Sequence, residues 1–148
     1  MKSMTTMLAL AGLLLTGAAL AGDLEVKHYS SNPGMQLPFS DAVQVGDMLY
    51  LSGKLGNVPG TSQLAEGGIQ GETRQTMENI KAALEKYGSS LDEVVKCTVF
   101  LADIAEWGAM NEVYKTYFPT DPPARSALGT SGLALGARVE IECFAAMR

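Results

Sequence analysis

Apolar and polar positions sort this chain into short strands and two helices. Leu24–Tyr29 alternates weakly and predicts an edge strand, and Ser30–Pro38, rich in Pro, Asn and Gly, a loop. Ala42–Val45 and Met48–Ser52 are apolar runs separated by Gly46-Asp47, a two-residue hairpin signal. A Gly-rich stretch, Lys54–Gly71, follows and lacks the spacing of a phosphate-binding loop, so it reads as a long connection. Over Glu72–Tyr87 the residues Met77, Ile80, Leu84 and Tyr87 recur at helical steps before the stop at Gly88. Val94–Leu101 is β-rich. Asp103 and Glu106 have capping-box spacing and open a second helix, whose stripe Trp107, Met110, Tyr114 and Tyr117 reads as core. The alternations Arg125–Leu128 and Val139–Phe144 close the chain as two strands, with Glu140 and Glu142 on one face and Val139, Ile141 and Cys143 on the other.

Two helices can cover only one face of such a sheet. Glu140, Glu142, Phe144 and Ala146 would share the uncovered face, which is too apolar at one end for water, so a homo-oligomer with its interface on the sheet is expected.

Composition narrows the function. Lys2, a polar lead, the apolar run Met7–Leu20 and the small residues Ala19 to Ala21 read as a secretory signal peptide over residues 1–21, leaving one domain over residues 22–148. The alternative is an uncleaved anchor, for which the run is short of the roughly 20 residues a span needs. The expected location is periplasmic or secreted, with no stable membrane insertion after cleavage. The net charge is −5, one unit more negative without Lys2, and no Lys/Arg cluster offsets it, which disfavours nucleic-acid binding. One histidine, His28, and no C-x-x-C leave no metal site to expect. Cys97 and Cys143 both fall in strand-like runs; export permits a disulfide, but two buried free thiols is the expectation.

The chemistry gathers between Pro123 and Glu142. Arg125 is the best handle for a ligand, since its planar fork pairs both oxygens of a carboxylate; a structural ion pair with Glu140 or Glu142 is the alternative. The two glutamates can serve proton transfer or water positioning, or simply be solvated. Asn111 lies at the edge of the apolar stripe, where pattern alone puts it on the surface, and Ser52 ends a strand before Gly53.

The segments PPARSAL and RVEIE, with Glu140 fifteen positions after Arg125, resemble the signature of the RidA/YjgF family of 2-iminoacid deaminases. LPFSDAVQVGDMLYLSG, TRQTMENIKAALEKYGSSLDEVVKCTVFLAD and MNEVYKTYF extend the resemblance over nearly all of residues 22–148. It implies an α+β, chorismate-mutase-like fold, a mixed sheet with two helices on one face, and a homotrimer with active sites in clefts between subunits. It implies that Arg125 holds a substrate carboxylate, that Glu140 positions or activates the attacking water, and that Ser52, Gly53 and Asn111 line the cleft. The implied reaction is cofactor-free hydrolysis of a 2-imino or enamine acid to a 2-keto acid and ammonia. Two positions depart from the pattern: Phe39 stands where the family has an active-site Tyr, and Ala127 where many members have Cys. A trimeric protein that binds small carboxylates without turnover is the alternative function.

Overall fold

The computed structural model describes residues 24–30, 34 and 37–147, and the leader reading of residues 1–21 lies outside them. Seven strands form one sheet: β1 (Val26–Tyr29), β2 (Ala42–Val45), β3 (Met48–Leu51), β4 (Lys54–Leu55), β5 (Val94–Leu101), β6 (Ala124–Gly129) and β7 (Val139–Ala146). Their order is β1-β2-β3-β7-β5-β6, with β4 also paired to β7. Helix α1 (Gly68–Lys86) lies against β4, β7 and the second helix, α2 (Trp107–Tyr114). Among the described strands only β5 and β6 run parallel, and α2 lies in the crossover that parallel pairing requires. The chain is therefore α+β, as the family resemblance implies.

Alternation sets the two faces of the sheet. Val139, Ile141, Cys143 and Ala145 of β7 are buried in a strict every-other pattern, as are Cys97, Val99 and Leu101 of β5. They pack with Met77, Ile80, Leu84 and Met110 from the helices, all without solvent exposure, into one core. The opposite face carries Lys96, Thr98 and Phe100 from β5 beside Glu140, Glu142 and Phe144 from β7, all partly exposed. Tyr50 of β3 joins Phe144 there, ring centroids 5.0 Å apart. Among the described residues nothing layers over this face, as the count of helices required.

The predicted hairpin is present, and Gly46 takes φ 55 in its turn, a left-handed conformation that glycine adopts without steric cost. Three expectations need correction. First, α1 begins at Gly68 rather than Glu72, and the added turn contributes one buried residue, Ile69; further on, the buried Thr73 and Thr76 hydroxyls donate to the carbonyls of Ile69 and Glu72 four residues back. Second, the stripe of the second helix is not all core. At about 100° per residue, Met110 and Tyr114 fall at its centre and Trp107 and Tyr117 at its margins. Met110 and Tyr114 are buried, Tyr117 is half-buried in a 3-10 turn, and Trp107 is 42% exposed.

Third, Cys97 and Cys143 are not free thiols. The antiparallel register of β5 and β7 puts them directly opposite each other on the buried face, and they form a disulfide. Periodicity could bury each cysteine, but only the pairing register could make them partners. The bond closes a sequence separation of 46 residues. Replacing both cysteines by Ala is expected to lower the unfolding free energy by about 2–4 kcal/mol, measured by denaturant titration of the oxidised protein and the variant.

Candidate active site

Strand β6 is the sheet edge that carries Arg125. Its parallel register aligns Arg125 with Cys97, so Arg125 shares the helix-covered face and its side chain lies under α2. Nη1 donates to Asn111 Oδ1 at 2.8 Å. The guanidinium carbon stands 4.6 Å from the Tyr114 ring centroid and 5.7 Å from that of Trp107. Asn111 is thus half-buried and engaged rather than on the surface, because the edge strand brings a donor to it. The ion pair weighed for Arg125 does not form: among the described residues no carboxylate bridges it. Ala127, two positions on, has the same facing and is half-buried. A cavity of about 320 Å³ opens here, lined by Arg125, Asn111, Tyr114, Phe118 and Pro123 among others. Burial raises the Tyr114 phenol to about 12 against the opposing pull of Arg125, so it stays neutral.

Glu140 belongs to the other face. It alternates with the buried Val139 and Ile141, and its carboxyl reaches over the backbone of Gly53. A bulge makes this contact. Tyr50 pairs Phe144 and Lys54 pairs Ile141, so four residue steps on one strand face three on β7, and the extra residue falls at Leu51–Gly53. A Cβ on Gly53 would stand 2.0 Å from Glu140 Oε1. Ser52 is half-buried, and its hydroxyl donates to the Ser40 carbonyl at 2.6 Å, which ties the bulge to the segment carrying Phe39. Phe39 itself is 60% exposed.

The bulge is clasped by Asp41. Its backbone carbonyl accepts from Ser52 N–H at 3.1 Å, while its carboxylate pairs Lys54 and accepts from Tyr87 Oη at 2.7 Å. Sequence reading passed over this trio, whose members are scattered across 46 residues and share no periodicity. It also read Trp107 and Tyr114 as core alone; the spacing 107, 111, 114 was the signal that they share a face with Asn111.

The predicted residues therefore fall into two groups. Arg125, Asn111 and Ala127 lie on the helix side at the sheet edge; Ser52, Gly53 and Glu140 lie at the bulge, with Glu140 on the uncovered side and Phe39 nearby. Within one chain the sheet separates Arg125 from Glu140. Among the described residues no three His, Cys, Asp or Glu side chains gather as a metal-ligand set.

A small α+β domain with this mixed sheet and helix layer, an arginine on its edge strand and a glutamate over a glycine bulge has clear relatives. The family described as Endoribonuclease L-PSP matches residues 29–147. The 2-iminobutanoate/2-iminopropanoate deaminase of Mus musculus is 44% identical over 108 residues, 73% of this chain and 80% of that protein. The human protein of the same name is 42% identical over 113 residues, 76% and 82%. Among solved structures, yeast YEO7 is similar with TM-score 0.77 and 39% identity over 84% of this chain and all of that one. RidA from Psychrobacter has TM-score 0.71 and 39% identity over 78% of this chain and 93% of that one. The chain belongs to this family, also known as RidA or YjgF.

Two predictions follow from the geometry at the bulge. Gly53→Ala should fold with nearly wild-type thermal stability, because the colliding atom ends a flexible side chain, yet displace the Glu140 carboxyl and lower activity; thermal unfolding and steady-state turnover of the same preparation check both halves. For Asp41, burial pushes the carboxyl up, but the bonds from Lys54 and Tyr87 outweigh it and hold it below its ordinary 3.8. Its contribution is thus present above that value and lost as pH falls through the lowered one. Asp41→Asn should cost about 1.5–3 kcal/mol near neutral pH, with the gap to wild type closing in acid, read from denaturant titrations across pH.

Proposed function

We propose that this protein hydrolyses reactive 2-imino and enamine acids to 2-keto acids and ammonia, without a cofactor, in sites shared between neighbouring copies of the chain. One observation carries the reading: Arg125 is a half-buried guanidinium, held in place by Asn111, that no carboxylate of the described chain neutralises. Such a group is a standing site for a small carboxylate. The names of the mouse and human relatives supply the rest of the substrate, a carbon–nitrogen double bond next to that carboxylate.

In this reading Arg125 binds the carboxylate and fixes the imine carbon. Glu140 orients a water on that carbon and accepts its proton as the C–O bond forms. The resulting carbinolamine collapses, its nitrogen leaves as ammonia after protonation, and the carbonyl of the keto acid remains. An enamine substrate first takes a proton on carbon to become the imine. Ser52 and Gly53 hold the bulge that makes room for Glu140, and Phe39 and Ala127 wall the cleft without offering the hydroxyl or thiol that the family resemblance implies there. Such imines hydrolyse unaided in water, so positioning and charge stabilisation suffice.

Arg125 and Glu140 occupy opposite faces of one sheet, so a complete site takes Arg125 from one copy and Glu140 from another. The uncovered face, with Tyr50, Phe100 and Phe144 partly exposed beside Glu140 and Glu142, supports an interface there, and a homotrimer is the assembly proposed. Export belongs to the same proposal: the leader-like residues 1–21 and the buried Cys97–Cys143 disulfide both fit a periplasmic or secreted protein. The net charge of −5 disfavours the nucleic-acid chemistry in the family's descriptive name.

Imine generated in situ from an amino acid by an oxidase, with keto-acid formation followed, tests the reaction. Wild type should accelerate it, and Arg125→Ala or Glu140→Gln should each lower kcat/KM on the order of 100-fold. Carboxylate-dependent thermal stabilisation without turnover would instead favour a non-catalytic binder. Co-refolding the two inactive variants in equal amounts should restore about a quarter of wild-type activity, the share of shared sites that draw both intact residues by random assembly. No recovery would place both residues of each site in a single chain.

A further inference from the structure

We propose that Trp107 and Tyr114 are positioning residues for Arg125, an aromatic bracket on α2 that, with Asn111, sets the plane of the guanidinium and the direction in which its fork faces a ligand. The proposal rests on the reading of Arg125 as the carboxylate holder and adds residues that act through it.

Trp107, Asn111 and Tyr114 stand at i, i+4 and i+7 on α2, within about 60° of one another around its axis, and all three meet the Arg125 guanidinium. The bond from Nη1 to Asn111 pins one corner of the fork and leaves it free to pivot. Ring faces against the guanidinium carbon, at 4.6 Å and 5.7 Å, are within the range of cation–π attraction and restrict that pivot. The restriction matters because a long side chain on an edge strand loses much rotamer freedom whenever it captures a ligand, and a guanidinium already held in plane loses less.

Packing accounts for the burial of Tyr114 beside Phe118, but not for Trp107. Trp107 is 42% exposed, so the core does not account for a residue of its size, and its guanidinium contact is the specific role the fold gives it. Tyr114 is buried, but its hydroxyl has no hydrogen-bond partner among the described residues, so the ring face is the part of it in use. Among the described residues no carboxylate pairs with Arg125, and the π faces and Asn111 steady it without neutralising it for an incoming anion.

The test uses full-length protein and the oxidase-coupled imine assay, with 2-oxobutanoate titrated as a carboxylate probe. Trp107→Leu, at an exposed position where folding is not at risk, should raise KM and the probe's dissociation constant about 3- to 10-fold, with kcat and thermal stability near wild type. Trp107→Phe, which keeps a ring face, should recover most of that loss, as should Tyr114→Phe relative to Tyr114→Leu. Wild-type KM in Trp107→Leu overturns the bracket, and so does a Trp107→Phe variant as impaired as Trp107→Leu. If Arg125→Ala itself leaves KM and probe affinity unchanged, the carboxylate reading falls and takes the bracket with it.

Discussion

The pairing of β7 with β5 is the constraint on which the rest of this protein depends. Six consecutive pairs, from Leu101 opposite Val139 to Lys96 opposite Phe144, give both strands one phase of alternation before the register shifts at Val94. Val99, Ile141 and the bonded Cys97–Cys143 pair go under the helices, and Phe100, Glu140 and Glu142 go to the other side. A slip of one residue would turn every one of these side chains over. The disulfide sits in this register and ties it covalently, at the centre of the core rather than at its edge.

That phase extends to β6 through parallel pairing, and it decides what the functional residues can do. Arg125 follows Cys97 to the helix side, where α2 receives it; Glu140 goes to the open side, where the bulge at Ser52–Gly53 makes space for its carboxyl. Each residue is well provided for locally and is separated from the other by the thickness of a sheet. The uncovered face and the separation of these two charges therefore have one cause. In the proposed assembly, a second copy covering this face would also bring the missing half of the chemistry to the edge.

Much of this was legible without coordinates. The strands β2, β3, β5 and β7 and the body of α1 announce themselves by period, because burying one face of an element imposes its own repeat on the sequence. Elements without a repeat were missed or misplaced: two-residue β4 has too few positions to show alternation, and the first turn of α1, Gly68-Ile69-Gln70-Gly71, has two glycines and a single apolar position. The same holds for the site. Arg125 and Glu140 stand out as charges set in apolar strands, whereas Asn111 and Trp107, at the margin of an amphipathic stripe, carry no mark that separates a ligand-facing position from a solvated one.

The sequence by itself determined the element types, the single covered face, the acidic net charge and the PPARSAL and RVEIE segments that identify the family, since each can be read from residue order and composition. Only the tertiary structure decided that the cysteines are bonded, that Arg125 pairs with Asn111 instead of a glutamate, that Gly53 lies under Glu140 and that the two charges face apart. Each of these depends on which strands are neighbours and in what register. Register is set by the cooperative burial of a whole face, and no single segment contains that information.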